Sequence, residues 1–116
     1  MGESYRDLVV WQRSIQMTVA IYQLTALFPK EETYGLSSQL RRAGVSVASN
    51  IAEGYARGST GEYKQFLCMA RGSNSEVQTQ LVIARELGFG SPQTLDKAEG
   101  LSNEVGRMMA AILRNL

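Results

Sequence analysis

The chain has no histidine. That removes the commonest general base and the commonest metal ligand. It also removes the Glu-x-x-His pairs through which helix bundles hold di-iron centres. The acids, among them Glu53, Glu62 and Glu76, follow no spacing that demands a metal, and each reads as a solvated or salt-bridged carboxylate. No metal and no cofactor is expected. A single cysteine, Cys68, means that no disulfide can close within the chain, which suits a reducing compartment. A lone helical thiol reads as a small buried hydrophobe rather than a nucleophile. The two prolines, Pro29 and Pro92, stand far apart and read as punctuation between helices.

Neither sign of charge dominates: 12 basic residues against 11 acidic give a formal net charge of +1. Binding nucleic acid through a global field calls for a far more basic chain, because affinity comes from neutralising many phosphates. A local basic patch stays open. No apolar run is long enough to span a bilayer, and the N-terminal segment lacks the basic start and apolar core of a signal peptide. The expectation is a cytoplasmic protein with no membrane partner. Gly54, Gly58 and Gly61 form no phosphate loop, since no Gly-Lys-Ser/Thr follows a strand.

The 116 residues suffice for one hydrophobic core, so 1–116 is expected to be a single domain. Apolar residues at helical spacing divide it into four helices, at about 6–28, 33–56, 60–87 and 92–115. The first carries two stripes: Trp11, Ile15, Val19, Tyr22 and Ala26, and beside them Val10, Met17, Ile21, Leu24 and Phe28. Pro29 ends it. Gly58 is a left-handed stop for the second helix. Ser59 and Glu62 form a capping box for the third, in which the carboxylate reaches back. Gly88 ends the third helix, and Ser91-Pro92 opens the fourth. Sustained alternation of β-branched residues is missing, so no strand competes. The fold class expected is all-α, an antiparallel up-down-up-down four-helix bundle, because links of a few residues make neighbours run antiparallel.

Residues 39–59 are the most informative stretch. An apolar stripe (Leu40, Ala43, Val47, Ile51) runs beside a polar one. At 100° per residue, Arg42, Ser46, Asn50, Glu53 and Arg57 fall within an arc of about 80°. One reading is a solvent face with Glu53 and Arg57 as an i,i+4 pair. The other is a hydrogen-bonded face meeting a second helix or subunit, since solvent faces are usually richer in lysine and glutamate. Asn74 interrupts the apolar stripe of the third helix. A buried amide needs partners, and the polar stripe of the second helix is one candidate. Fixing helix register is the role favoured for it.

Arg41 and Arg42 are adjacent, and Arg57, Lys64, Arg71 and Arg85 follow. Arginine suits bidentate pairing with phosphate or carboxylate, so salt bridges and RNA contacts both account for it. If RNA is bound, Arg41, Arg42 and Arg57 are the expected phosphate contacts, with Lys64 and Arg71 supporting. The two apolar stripes of the first helix together give a wider surface than one core needs. Together with the small residues Gly44 and Ala48 it points to a subunit interface. Ser46, Asn50, Glu53, Asn74 and Glu76 are the polar residues expected to organise packing or that interface.

Several strings carry a family resemblance: Leu8-Val9-Val10-Trp11-Gln12, Tyr34-Gly35-Leu36, Gln39-Leu40-Arg41-Arg42-Ala43 and Asn50-Ile51-Ala52-Glu53-Gly54. Glu62, Phe66-Leu67, Gly72-Ser73, Glu76 and Thr79-Gln80-Leu81 follow. Over about residues 5–90 the chain resembles the bacterial four-helix-bundle family named for proteins encoded in intervening sequences of 23S rRNA genes. The last helix matches only as a generic amphipathic helix. The resemblance implies a homopentamer, a ring of five bundles around a central channel, with no established enzymatic activity. A related branch, the accessory proteins of diversity-generating retroelements, is strongly basic and binds nucleic acid and a reverse transcriptase; this chain departs from it in its near-neutral charge.

The functional expectation is therefore a non-enzymatic homo-oligomeric scaffold that binds RNA or associates with ribosomes. The alternative is a protein-interaction module without nucleic acid, including an accessory-type partner of a reverse transcriptase or another nucleic-acid-associated protein.

Overall fold

Helix boundaries here follow from which backbone groups find partners. The computed structural model describes residues 4–116. Ser4 opens a short 3-10 turn over Tyr5–Asp7: its hydroxyl accepts from Arg6 N at 3.1 Å, and its own amide donates to Asp7 Oδ2 at 3.3 Å. Leu8 is extended, and helix α1 then runs over Val9–Thr25. The single helix expected over 6–28 is thus shortened at both ends. At its close, Pro29 has no N–H with which to reach the Thr25 carbonyl. That carbonyl instead accepts from Phe28 N at 3.1 Å, and Leu24 O accepts from Leu27 N at 3.0 Å, so the last turn tightens.

Lys30–Glu32 form a second 3-10 turn. Helix α2 spans Leu36–Ala56, starting three residues later than the apolar pattern suggests. The reason is Glu32, whose Oε1 accepts from Leu36 N at 3.1 Å. A carboxylate there satisfies one free amide and answers the positive end of the helix. Gly58 follows with φ +81°. Helix α3 covers Thr60–Glu86, capped by Ser59 Oγ on Glu62 N at 3.2 Å. The Glu62 carboxylate reaches back to the Ser59 hydroxyl, at 3.1 Å, rather than to its amide. Gly88 (φ +75°) closes α3 while Phe89 N donates to Ala84 O at 2.9 Å, the geometry of a glycine C-terminal stop. Helix α4 spans Pro92–Arg114, with Ser91 and Thr94 capping each other.

The four helices share one apolar core. Helix α1 packs on α2 and α4, and α3 packs on the same two, so α1 and α3 lie across the core from each other. Met17, Ile21 and Leu24 of α1 meet Leu40, Val47 and Ile51 of α2, Leu67, Val77 and Leu81 of α3, and Val105 and Met109 of α4 in one fully buried cluster. Only one of the two α1 stripes enters it. Ile15, Val19, Tyr22 and Ala26 stay exposed, and Trp11 is half-buried.

Two small residues set the spacing of α2. A Cβ on Gly44 would stand 3.0 Å from Ile21 Cδ1, and one on Gly54 would stand 2.5 Å from Phe66 Cβ. Gly44 therefore admits α1 of the same chain, which corrects its assignment to a subunit contact. Cys68 is exposed, against the buried position expected of it: it falls on the outer side of α3, away from the Leu67 and Ala70 core positions. No helix is long and apolar enough to cross a membrane, among the described residues.

Candidate functional site

The polar stripe of α2 divides into three parts with different partners. In the middle, Asn50 Nδ2 donates to Ser46 O at 2.9 Å and Ser46 Oγ at 3.1 Å, and Ser46 Oγ shares a hydrogen bond with Ser73 Oγ of α3 at 3.0 Å. Ser46 thus ties α2 to α3 of one chain, while Asn50 bonds back to Ser46 within α2. At the C-terminal end, Arg57 donates to Glu53 Oε2 at 2.9 Å and to Glu62 Oε2 at 3.3 Å, and its guanidinium lies 5.1 Å from the Phe66 ring centroid. The hydrogen bond to Glu53 raises the Arg57 pKa further above the ordinary arginine value, with smaller contributions from the Glu53 and Glu62 charges. One cation between two carboxylates presents no net positive charge to a phosphate.

The N-terminal part differs. Arg41 Nε donates to Thr25 Oγ1 at 2.8 Å, and its guanidinium carbon sits 4.4 Å from the Tyr22 ring centroid. Arg42 is exposed, and no carboxylate among the described residues forms an ion pair with either arginine. Both line a groove of about 610 Å³ whose other walls include Tyr22, Tyr34, Ser38 and Val45. Arg42 also borders a smaller groove of about 300 Å³ with Gln39, Glu76 and Gln80.

Of the remaining candidates, Lys64 and Arg71 are exposed on α3 and line neither groove. Asn74 is buried, but its partner is not on α2. Its Nδ2 donates to Ser102 O at 3.0 Å, and Ser102 Oγ donates to its Oδ1 at 2.8 Å. This corrects the expected pairing: Asn74 points across to α4, so both ends of the amide are satisfied there. No group of three or more acids or thiols gathers as a metal cage among the described residues.

Three features escaped the sequence reading. Thr25 and Tyr22 hold Arg41, whereas helical spacing places Tyr22 in an apolar stripe and gives Thr25 no role. Tyr34 is 96% exposed and borders the arginines. Arg85 bonds Asp96 Oδ1 at 2.9 Å, and Arg13 Nε lies 3.3 Å from Glu104 Oε1, so both of these arginines are held by α4 acids. The signal available for Tyr34 was its place in a charged, glycine-bounded link where no apolar stripe needs a ring.

Known proteins give the following comparisons. No curated protein matches the sequence. A crystal structure of a protein of unknown function from the S23 ribosomal protein family of Bacteroides thetaiotaomicron is similar, with a TM-score of 0.80 at 20% identity. The similarity covers 90% of this chain and 98% of that one, and at this identity it speaks for the fold. The family described as 23S rRNA-intervening sequence protein matches residues 6–111. With the match spanning all four helices, the chain belongs to the 23S rRNA-intervening sequence protein family.

Proposed function

We propose that this chain is a non-catalytic scaffold: an antiparallel up-down-up-down bundle that assembles with its own copies into a ring and presents Arg41 and Arg42 to RNA. The order of contacts supports the antiparallel reading. Along α2 and α3, Gln39 meets Gln80, Ser46 meets Ser73, and Gly54 faces Phe66. Asn74 and Arg85 of α3 meet Ser102 and Asp96 of α4 in the same reversed order.

The observation that carries the assembly is the outer face of α1. From Ser14 to Pro29 the chain has no charged residue, although Ile15 and Val19 of α1 and Leu27 just past its end are 38%, 51% and 55% exposed. A helix that supplies no charge of its own over about three turns, beside the single cation Lys97 of α4, is better explained by a partner than by water. Across the core, the outer face of α3 carries the exposed, uncharged stripe Cys68, Gly72, Ser75, Thr79 and Val82. The Ser75 and Thr79 hydroxyls donate back to Arg71 O and Ser75 O at 3.2 and 2.9 Å, so they ask nothing of a neighbour. Large side chains on one corner and small ones on the opposite corner favour a head-to-tail contact, which closes into a ring when the rotation allows. Five subunits is the count that the resemblance implies.

Light scattering tests this reading. The expected mass is about five times the 12.8 kDa of one chain, falling in Val19→Glu, where a buried charge would go unpaired. A monomeric native protein would overturn it. For the RNA part, mobility shifts should be salt-sensitive and weaken when Arg41 and Arg42 become alanine. The second reading, a protein-interaction module that does not touch nucleic acid, draws on the near-zero net charge; an accessory partner of a reverse transcriptase is one form of it. It predicts the same mass with no RNA shift at any salt concentration.

A further inference from the structure

Three arginines among the described residues are each held by carboxylates: Arg13 by Glu104, Arg57 by Glu53 and Glu62, and Arg85 by Asp96 with Glu99 nearby. Arg6, Arg41, Arg42, Arg71, Arg107 and Arg114 form no ion pair among the described residues, and of these only Arg41 and Arg42 are adjacent and line one groove. The groove they line has no carboxylate in its walls, so two positive charges stand together on a chain whose formal net charge is +1. An anion is the ligand such a wall favours.

The groove is also organised. Arg41 is held through Nε by Thr25 Oγ1, and from one side by the Tyr22 ring. Its two terminal nitrogens have no hydrogen-bond partner among the described residues. A guanidinium fixed at Nε and free at its ends is set for two-point contact with phosphate oxygens. Tyr34, on the rim, buries almost nothing at 96% exposure. Both the size of the groove, about 610 Å³, and its mix of aromatic, apolar and hydroxyl walls fit a nucleotide-sized ligand.

We propose that this groove binds one nucleotide unit of unpaired RNA, with the base stacked on Tyr34 and the phosphate held by Arg41 and Arg42. Thr33, Ser38 and Ser46 add hydroxyl-bearing side chains to the groove lining. The proposal rests on the RNA-contact reading above and adds a preference to it. A paired strand keeps its bases stacked inside the duplex, so Tyr34 has nothing to stack on; an unpaired strand offers its base faces.

Fluorescence anisotropy with a labelled single-stranded RNA hexamer, the same sequence as a duplex, and the free mononucleotide tests it on the intact native assembly. Tyr34→Leu should weaken hexamer binding about tenfold and leave duplex binding unchanged. Arg42→Ala should weaken both and lower the slope of affinity against salt by about one. Arg107→Ala, exposed on α4, should change neither. Circular dichroism confirms that each variant is folded; Tyr34 and Arg42 are surface residues that contribute nothing to the core. Hexamer binding that Tyr34→Leu leaves intact would overturn the groove while keeping RNA contact. Mononucleotide binding as tight as the hexamer would replace the RNA strand by a free nucleotide. Absence of binding to all three probes would remove the RNA reading and this proposal together.

Discussion

The two ends of α2 carry the same residue type in opposite circumstances. At the C-terminal end Arg57 is clamped by Glu53 and Glu62 and lies over Phe66. Helix α3 comes so close there that a Cβ on Gly54 would collide with Phe66 Cβ at 2.5 Å. At the N-terminal end Arg41 and Arg42 form no ion pair among the described residues and line an open groove, and the contact with α1 is less rigid, since a Cβ on Gly44 would meet side-chain ends, Ile21 Cδ1 at 3.0 Å and Thr18 Oγ1 at 3.4 Å. The stripe pattern that joins Arg42 to Arg57 in sequence is therefore a poor guide to chemistry. What decides an arginine's availability is the charge brought to it by other helices. One end is a closed packing joint, and the other is a surface with unanswered charge.

The sharpest way to break this contrast is to add one methyl group at each end. Gly54→Ala should destabilise by about 1–3 kcal/mol, because Phe66 Cβ is fixed to the α3 backbone and the helices must separate. Gly44→Ala should stay within about 1 kcal/mol of the native protein. The Ile21 methyl can turn aside, and replacing a helical glycine by alanine returns about 1 kcal/mol of backbone entropy. Urea midpoints of the two variants give the comparison. Equal losses would mean that the two ends are packed alike.

A second test sets the charges against each other. Arg42→Ala should lower RNA affinity about fivefold and reduce its salt dependence. Arg57→Ala should leave the salt slope unchanged, since its charge is already answered by two acids. A larger loss from Arg57 than from Arg42 in the same titration would reverse the assignment and make the C-terminal end the RNA contact.

How much of this was legible in the sequence depends on distance along the chain. Caps and stops are local devices, so Ser59, Gly58, Gly88 and Ser91 could be read from neighbouring residues, as could the i,i+4 partnership of Glu53 and Arg57. The core stripe of α2 was equally visible from its period. Non-local choices were not. Two apolar stripes on α1 look alike until α2 and α4 decide which one is covered. Asn74 announces that it needs a partner, but only the packing of α4 supplies Ser102 rather than a residue of α2. Arg41 is held by a threonine 16 residues earlier, a separation at which no helical spacing applies. The start of α2 shifted for a related reason: Glu32, outside the apolar pattern, caps Leu36.

The smallest expected effect belongs to the closed end and separates it from the open end by pH. Tyr63 packs edge-on against Tyr55, with ring centroids 5.5 Å apart. Burial raises the Tyr63 pKa above the ordinary tyrosine value, with a further push from Tyr55. Burial there favours the neutral phenol over the phenolate in the folded state. The stability this contributes is fully present below the unfolded pKa of tyrosine, about pH 10. It is lost as pH rises through the higher folded value, because the unfolded chain releases that proton more readily. The other tyrosines titrate in the same range, so the informative quantity is a difference between proteins. Melting temperatures followed from about pH 9 to pH 11.5 should fall more steeply for the native protein than for Tyr63→Phe, which has no proton to lose. Parallel slopes would mean that the joint between Gly54, Tyr63 and Phe66 is open enough for water to reach the phenol, and the contrast between the two ends of α2 would then rest on charge alone.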